Sequence, residues 1–462
     1  MEQTTAKKNK YEIDMCNGTI MDKLISFSLP LMLSGILQLM FNAVDIIVVG
    51  RFSGSQALAA VGSTSALINV FTNLFIGISL GANVLTARFY AAGREKEVSE
   101  TVHTAITLAL VSGIVMALVG LVFSRGALAL MGTPDDVIGL SALYMRIYFL
   151  GMPFFMLYNY GAAILRAVGD TKRPLLFLMI AGVINACLNM VLVIVFKLGV
   201  AGVAIATVIS QMISCVLVLR CLCRSESSYR LRFSELGMKG YYLKQIFSVG
   251  VPAGIQSTVI NFSNVLLQSS VNSFGSTAMA GYTAANNLLG FLYVSVNSIT
   301  QACMSFTSQN YGVGKLKRMD RVLADCMILS VVVAVVLGCI CYGFGPEILQ
   351  IYTEDAEVIE CGMEILAYTT ITYFLCGWMD LFPGALRGMG YSAVPMVLSV
   401  IGTVGTRVVW IFGIFPYHRS LAILFISYPA SWIITIILQV VCFYFVRRRV
   451  HRRSQALAGQ EV

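Results

Sequence analysis

The sequence predicts an all-α polytopic membrane protein: twelve transmembrane helices in two pseudo-symmetric six-helix lobes. Three observations carry this expectation: the composition, a series of long apolar runs, and an internal repeat. Of 462 residues, 57% are hydrophobic and only 12% are charged, whereas soluble domains carry about 25% charge. A water-soluble globule, a disordered chain and a disulfide-stapled secreted chain are excluded on that ground. The net charge of +9 is not a nucleic-acid footprint, because the basic residues sit at the ends of apolar runs rather than on a polar, aromatic-bearing face.

Apolar runs fall at 24–50, 57–87, 101–123, 139–164, 175–197, 199–222, 246–272, 279–308, 322–345, 358–386, 395–416 and 419–446. Each approaches or exceeds the roughly 20 residues that cross a bilayer, and each ends at Gly, Pro or charge. The fifth and sixth are parted only by the stretch Lys197 to Gly199. Twelve crossings return the chain to its starting side. Of the 32 Lys and Arg, 26 fall on the side that holds both termini, four on the other (Arg51, Arg125, Lys197, Arg419), and Arg146 and Arg407 lie within spans. Basic loops stay inside, so a multi-pass protein of the cell (inner) membrane with both termini cytoplasmic is expected. Residues 1–23, polar and carrying Lys7, Lys8 and Lys10, have no cleavage motif and read as a cytoplasmic tail rather than a signal peptide.

A shift of 221 positions overlays Gly54-Ser55 on Gly275-Ser276, Gly93 on Gly314, Leu165-Arg166-x-x-Gly169 on Leu386-Arg387-x-x-Gly390, and Pro174 on Pro395; Pro30 meets Pro252 with one residue of slack. Loop features matching at one offset define two halves: an N-lobe at 24–222 and a C-lobe at 246–446, joined by a cytoplasmic linker at 223–245 and followed by a basic tail at 447–462. Each half holds six spans, so both insert with the same orientation about a pseudo-twofold along the membrane normal. Transporters built this way hold substrate between repeats and rock one against the other.

Charge inside a span costs at least about 2.5 kcal/mol and marks function. Asp45, in the first span, has no base within a helical turn. A carboxyl in oil can carry a proton, or bind Na⁺ when ionised. Asp380 in the tenth span precedes Pro383, which frees backbone carbonyls for a cation; Arg407 in the eleventh is its alternative, structural partner. Asn159 lies in the fourth span. Asn185 and Asn189 in the fifth lie four apart, on one helix face, and can ligate a cation or relay a hydrogen bond. A polar, uncharged lining for substrate is expected from Gln38, Asn42, Gln256, Asn261, Asn264, Asn286 and Asn287, with Tyr158 and Tyr282 available to stack on flat organic cations. Gly77-x-x-x-Gly81, Gly250-x-x-x-Gly254 and Gly384-x-x-x-Gly388 read as close helix contacts. The scattered cysteines, Cys221 and Cys223 included, give no zinc set, and no metal site or cofactor is expected. Absence of a phosphate-binding loop, of H-E-x-x-H and of a Gly-x-Ser-x-Gly elbow argues against an ATP-driven pump or an enzyme.

The run Leu165-Arg166-Ala167-Val168-Gly169-Asp170-Thr171-Lys172-Arg173-Pro174 resembles a loop of the multidrug and toxic compound extrusion (MATE) family, NorM/DinF-like. It is echoed by Leu386-Arg387-Gly388-Met389-Gly390-Tyr391-Ser392. Leu29-Pro30, Asp45, Gly50-Arg51 and Ala92-Gly93 fit the same family. The resemblance covers nearly the whole chain. It implies a V-shaped bundle that exports cationic or amphipathic organic compounds in exchange for H⁺ or Na⁺, with Asp45 as the coupling acid. Asn159 and Asn185 match residues of related members, and Asn189 stands where they carry an acid. No Glu lies in 246–272, and Asp380 sits closer to the Leu-Arg-Gly loop than its counterpart, so the sodium site of NorM-like members is incomplete here. The lipid bilayer and small organic cations or amphipathic drugs are the expected partners, nucleic acid is not, and a monomer is expected. The competing reading is a flippase of lipid-linked oligosaccharides, which requires a more basic cavity.

Overall fold

The computed structural model describes residues 10–458; Lys7 and Lys8 of the N-terminal tail and the last four residues of the basic tail lie outside them. Among the described residues the regular structure is helical, with no strand. The chain runs through α1 (Met21–Phe52), α2 (Ser55–Ala91), α3 (Glu95–Leu130), α4 (Asp135–Leu150), α5 (Met152–Ala167), α6 (Lys172–Asn189) and α7 (Gly199–Cys223). It then continues through α8 (Gly240–Asn272), α9 (Ser276–Gly312), α10 (Leu316–Gly343), α11 (Gly345–Gln350), α12 (Ala356–Thr369), α13 (Tyr373–Gly388), α14 (Ala393–Ser399), α15 (Thr406–Val409) and α16 (Leu421–Ala458). Eight helical stretches are long and apolar enough to span, α14 and α15 counting as one over Ala393–Ile414, and ten if α4 with α5 and α12 with α13 each cross once. The remaining two crossings are α8 and α9, 33 and 37 residues long. Their Gln and Asn side chains lower their hydropathy without shortening them. The twelve apolar runs thus correspond to the twelve crossings of the fold.

Punctuation explains the boundaries. Gly54 and Gly275, Gly93 and Gly314, and Gly169 and Gly390 all adopt positive φ, between 67° and 100°. The members of each pair stand 221 residues apart. Only glycine takes this backbone without strain, so the sequence repeat is a repeat of turns. The short break between the fifth and sixth spans is a left-handed turn, with φ of 53° at Lys197 and 55° at Gly199.

Bends follow the same offset with different causes. The fourth span bends by 47° at Gly151, where Pro153 starts α5; the tenth bends by 50° over Thr370–Thr372. There Thr369, Thr370 and Thr372 return their hydroxyls to the carbonyls of Ile365, Leu366 and Tyr368 at 2.6–2.9 Å, a pattern that bends helices. Turns of π-helix continue α6 over Met190–Val195 and flank α15 at Val400–Gly405 and Trp410–Ile414.

The described residues divide into two compact units, one within Met1–Ile13 and Leu33–Gly254, the other within Asp14–Met32 and Ile255–Val462. One dividing point lies between Ile13 and Asp14, ahead of α1, and the other two fall inside α1 and α8. The first unit has its own core, including Leu85, Val102, Phe149, Met152 and Tyr160; the second is built on Leu292, Leu366, Phe425 and Trp432. In the first unit the two glycine motifs meet each other. A Cβ on Gly250 would press on the backbone of Ile78, and one on Gly254 on the backbone of Leu74. Gly77 and Gly81 accept α8 in the same way. In the second unit Gly384 and Gly388 receive Thr300, Met304 and Thr307 of α9. The small-residue patterns are helix contacts, as their spacing indicated.

Candidate functional site

In the first unit, α1 brings Asp45 against α6. Asn189 donates its side-chain amide to the Asp45 carboxylate and to Asn185 Oδ1 at 3.1 Å. Asn185 in turn donates to Ser210 Oγ of α7 at 3.5 Å, and Thr207, one turn before Ser210, lies beside the carboxylate with its hydroxyl donated to the Val203 carbonyl at 3.0 Å. Spacing explains the alignment: positions four apart on α6 and three apart on α7 project to one side. Asn185 is 5% exposed and Asn189 fully buried, yet Asn189 Oδ1 has no hydrogen-bond donor among the described residues. The π-turn of α6 starts at the next residue, Met190. Such turns widen a helix locally and recur at functional sites. Tyr144 and Tyr148 of α4, stacked with ring centroids 6.2 Å apart, lie within electrostatic reach of Asp45. No base forms an ion pair with Asp45 among the described residues. The result is a carboxylate served by a neutral donor, a group whose charge can change without breaking a salt bridge.

Other residues singled out in this half go elsewhere. Asn159 donates to the Phe155 carbonyl at 2.8 Å, within its own helix. Tyr158 donates to the Pro174 carbonyl at 3.2 Å. Gln38 and Asn42 are exposed positions on α1.

The second unit gathers polar groups around a base. Arg407, 3% exposed, donates from Nη1 to Asn264 Oδ1 at 2.7 Å and Ser263 Oγ at 3.2 Å, and from Nε to Ser431 Oγ at 3.4 Å. Its guanidinium lies 4.7 Å from the Tyr428 ring centroid, and the Tyr428 and Tyr282 hydroxyls meet at 3.0 Å. Asp380 is not its partner. The charged neighbour of Asp380 is Arg387, two turns along α13, and Arg387 also donates to Gln256 Oε1 at 2.7 Å. Asn261, Asn286 and Asn287 are exposed. Of the polar residues expected to line a substrate site, Asn264 and Tyr282 therefore belong to the Arg407 network and Gln256 to Arg387. Sequence reasoning missed Thr207, Ser210, Ser263, Ser431 and Tyr428. The signal for the last three was Arg407 itself, since a buried guanidinium needs several acceptors. Among the described residues no cluster of His, Cys, Asp and Glu could hold a metal ion.

Comparison with known proteins places these features in a family. The MatE family model matches residues 30–191 and 252–412, once in each half. A probable multidrug resistance protein of Bacillus subtilis, YoeA, is 32% identical over 434 residues, 92% of this chain and 93% of its own length. The multidrug export protein MepA of Staphylococcus aureus is 22% identical over 82% of this chain and 84% of its own. Among solved structures, an outward-facing multidrug resistance MATE family transporter superposes with a TM-score of 0.87 at 19% identity, covering 97% of this chain and all of the other. A MOP superfamily transporter from Pyrococcus furiosus gives 0.87 at 20% identity over 96% and 99%. At such identities the structures speak for the fold alone.

Proposed function

Because this chain belongs to the MATE family of membrane transporters, we propose that it is a secondary active multidrug antiporter. It exports cationic or amphipathic organic compounds in exchange for H⁺, or Na⁺, by alternating access. It works as a monomer in the cell (inner) membrane. The Lys and Arg bias of the loops supports a cytoplasmic position for both termini.

The observation that carries this reading is the Asp45 carboxylate, met in the first unit by the neutral amide of Asn189. When Asp45 takes a proton it becomes a donor and needs an acceptor. Asn189 can serve both states by turning its amide, because its oxygen is not otherwise engaged. The change in charge at Asp45 then alters the contact of α1 with α6. Ion and drug must favour different states of that contact for transport to be coupled. With Asp45 ionised, the same oxygens of Asp45 and Asn189 offer hard ligands to Na⁺. A lipid-linked oligosaccharide flippase would need basic groups free for a diphosphate, and Arg407 is buried and already engaged by Asn264, Ser263 and Ser431.

The test is transport of ethidium by purified protein in proteoliposomes, under a pH gradient without Na⁺ and under a Na⁺ gradient at equal pH. One gradient drives uptake in wild type, and Asp45→Asn abolishes it. Transport by Asp45→Asn equal to wild type under the same gradient overturns the assignment.

A further inference from the structure

The loop between α5 and α6 builds a second feature, independent of Asp45. Gly169, at φ of 95°, leaves room for the backbone of Ile13, which a Cβ there would meet at 2.6 Å. The tail before α1 is therefore laid along this loop. Glu12 fixes it further, accepting from the Tyr90 hydroxyl at 2.7 Å and the Tyr229 hydroxyl at 2.8 Å. Tyr11 lies under the Arg173 guanidinium, 5.4 Å from its ring centroid. Asp170, fully buried, accepts from the Arg173 backbone N–H at 3.1 Å and pairs with its Nε. Burial pushes the Asp170 carboxyl above the ordinary carboxylate range, and Arg173 opposes that shift. Arg173 is thus held rigidly, while its Nη2 is buried without a hydrogen-bond partner among the described residues.

Beside this guanidinium opens a cavity of about 850 Å³, bounded by the start of α6, the end of α7 and the tail. Four bases line it: Lys10, Arg173, Arg220 and Arg224. One acid, Glu226, is present. Lys10, Arg220 and Arg224 form no ion pair among the described residues. Deeper along the two helices the wall is apolar, formed by Phe177 and Leu217. Positive charge at the helix ends above an apolar wall matches an amphiphile with an anionic head and a hydrocarbon tail. Basic pockets of this kind between transmembrane helices take phospholipid head groups.

We propose that this cavity binds the phosphate head group of an anionic phospholipid, with Arg173 as the preset donor, Arg220, Arg224 and Lys10 as its mobile partners, and an acyl chain against Phe177 and Leu217. Inorganic phosphate shares the head-group chemistry but makes no use of the apolar wall.

The test measures binding to the purified full-length protein in detergent, by native mass spectrometry and by the shift in thermal unfolding. The probes are phosphatidylglycerol, phosphatidylcholine and inorganic phosphate alone. The expected result is preferential retention of phosphatidylglycerol, weakened about 30-fold by Arg220→Gln with Arg224→Gln and about fivefold by Lys10→Gln, at about a factor of five for each base removed. The control pair Arg448→Gln with Arg449→Gln removes equal charge from the end of α16 and leaves binding within about threefold. Phosphatidylcholine bound as tightly as phosphatidylglycerol, or equal losses in the two double variants, overturns the proposal. So does a full thermal shift from inorganic phosphate alone, which assigns the cavity to the free ion. Lys10→Gln lies on an exposed tail and keeps the proposal testable should the double variant fail to fold.

Discussion

The two halves of this chain share their turns and differ in their buried charge. Sliding α1 onto α8 by 222 positions sets Pro30 on Pro252 and Asn42 on Asn264; Asp45 then falls on Leu267, which is 1% exposed. Sliding α6 onto α14 and α15 by 221 sets Pro174 on Pro395 and Ala186 on Arg407. The first unit therefore carries an acid where the second has leucine, and the second a base where the first has alanine. The environments differ as well. Asp45 is met by one amide beside an unused amide oxygen, whereas Arg407 is held by three side-chain oxygens and an aromatic face. A guanidinium keeps its proton at any physiological pH. A carboxyl in an apolar span need not. The duplication preserved a backbone, and the two copies carry different buried charges on it.

The largest expected effects separate these two roles. Asp45→Asn should reduce gradient-driven transport to the background of empty liposomes while leaving the unfolding temperature close to wild type, because Asn keeps the shape and loses only the ionisable oxygen. Arg407→Ala should do the reverse. It strands the acceptors of Asn264, Ser263 and Ser431 in a buried site and should cost about 3 kcal/mol of stability, read as a lower unfolding temperature in detergent. The fraction that folds should keep its dependence on the imposed ion gradient. An Arg407→Ala protein of wild-type stability that has lost ion coupling would break the comparison, since the second unit would then share the switch.

A finer distinction lies within the first unit. Asn189→Leu removes the amide that donates to Asp45; a hydrogen bond to a charged group contributes about 1.5–3 kcal/mol, so transport should fall at least tenfold. Asn185→Leu removes a 3.1 Å acceptor and a 3.5 Å donor that do not touch Asp45, and a loss of about threefold is expected. Initial transport rates at equal protein density decide the order. Asn185→Leu more damaging than Asn189→Leu would mean that the chain of bonds runs toward Ser210 rather than toward Asp45.

How much of this was legible in the sequence depended on whether the signal was local. The twelve spans and the glycine turns were, because hydropathy and positive-φ glycines act within a few residues. Asp45, Asn185 and Asn189 stood out because a charge in an apolar run and an i, i+4 pair of amides are local patterns too. The identity of their partners was not legible. Thr207 and Ser210 return hydroxyl bonds to their own helix, to Val203 and Thr207 carbonyls, as Ser and Thr in any span do. Arg407 draws its acceptors from α8 and α16, separated from it by 143 and 24 positions. Asn159 had the right residue type in the right span, yet its amide is spent on the Phe155 carbonyl. The bend over Thr370–Thr372 has no proline to announce it, and three threonine hydroxyls produce it instead.

The smallest effects test whether packing, unlike charge, is equivalent in the two units. A Cβ on Gly254 would come within 2.5 Å of the Leu74 carbonyl oxygen and 2.9 Å of its Cα; one on Gly388 would come within 2.8 Å of the Met304 carbonyl oxygen and 2.9 Å of Thr307 Cβ. In both cases the obstacle is backbone or a β-branched stem that cannot swing away. Gly254→Ala and Gly388→Ala should therefore each cost about 1–3 kcal/mol, by thermal unfolding in one detergent. Gly290→Ala, where a Cβ meets nothing within 4 Å, should be neutral or stabilising by up to about 1 kcal/mol through helix propensity alone. Equal losses at Gly254 and Gly388 would place the asymmetry of this chain in its charges and not in its close helix contacts. A loss at one glycine with none at the other would mean that the two halves have diverged in packing as well.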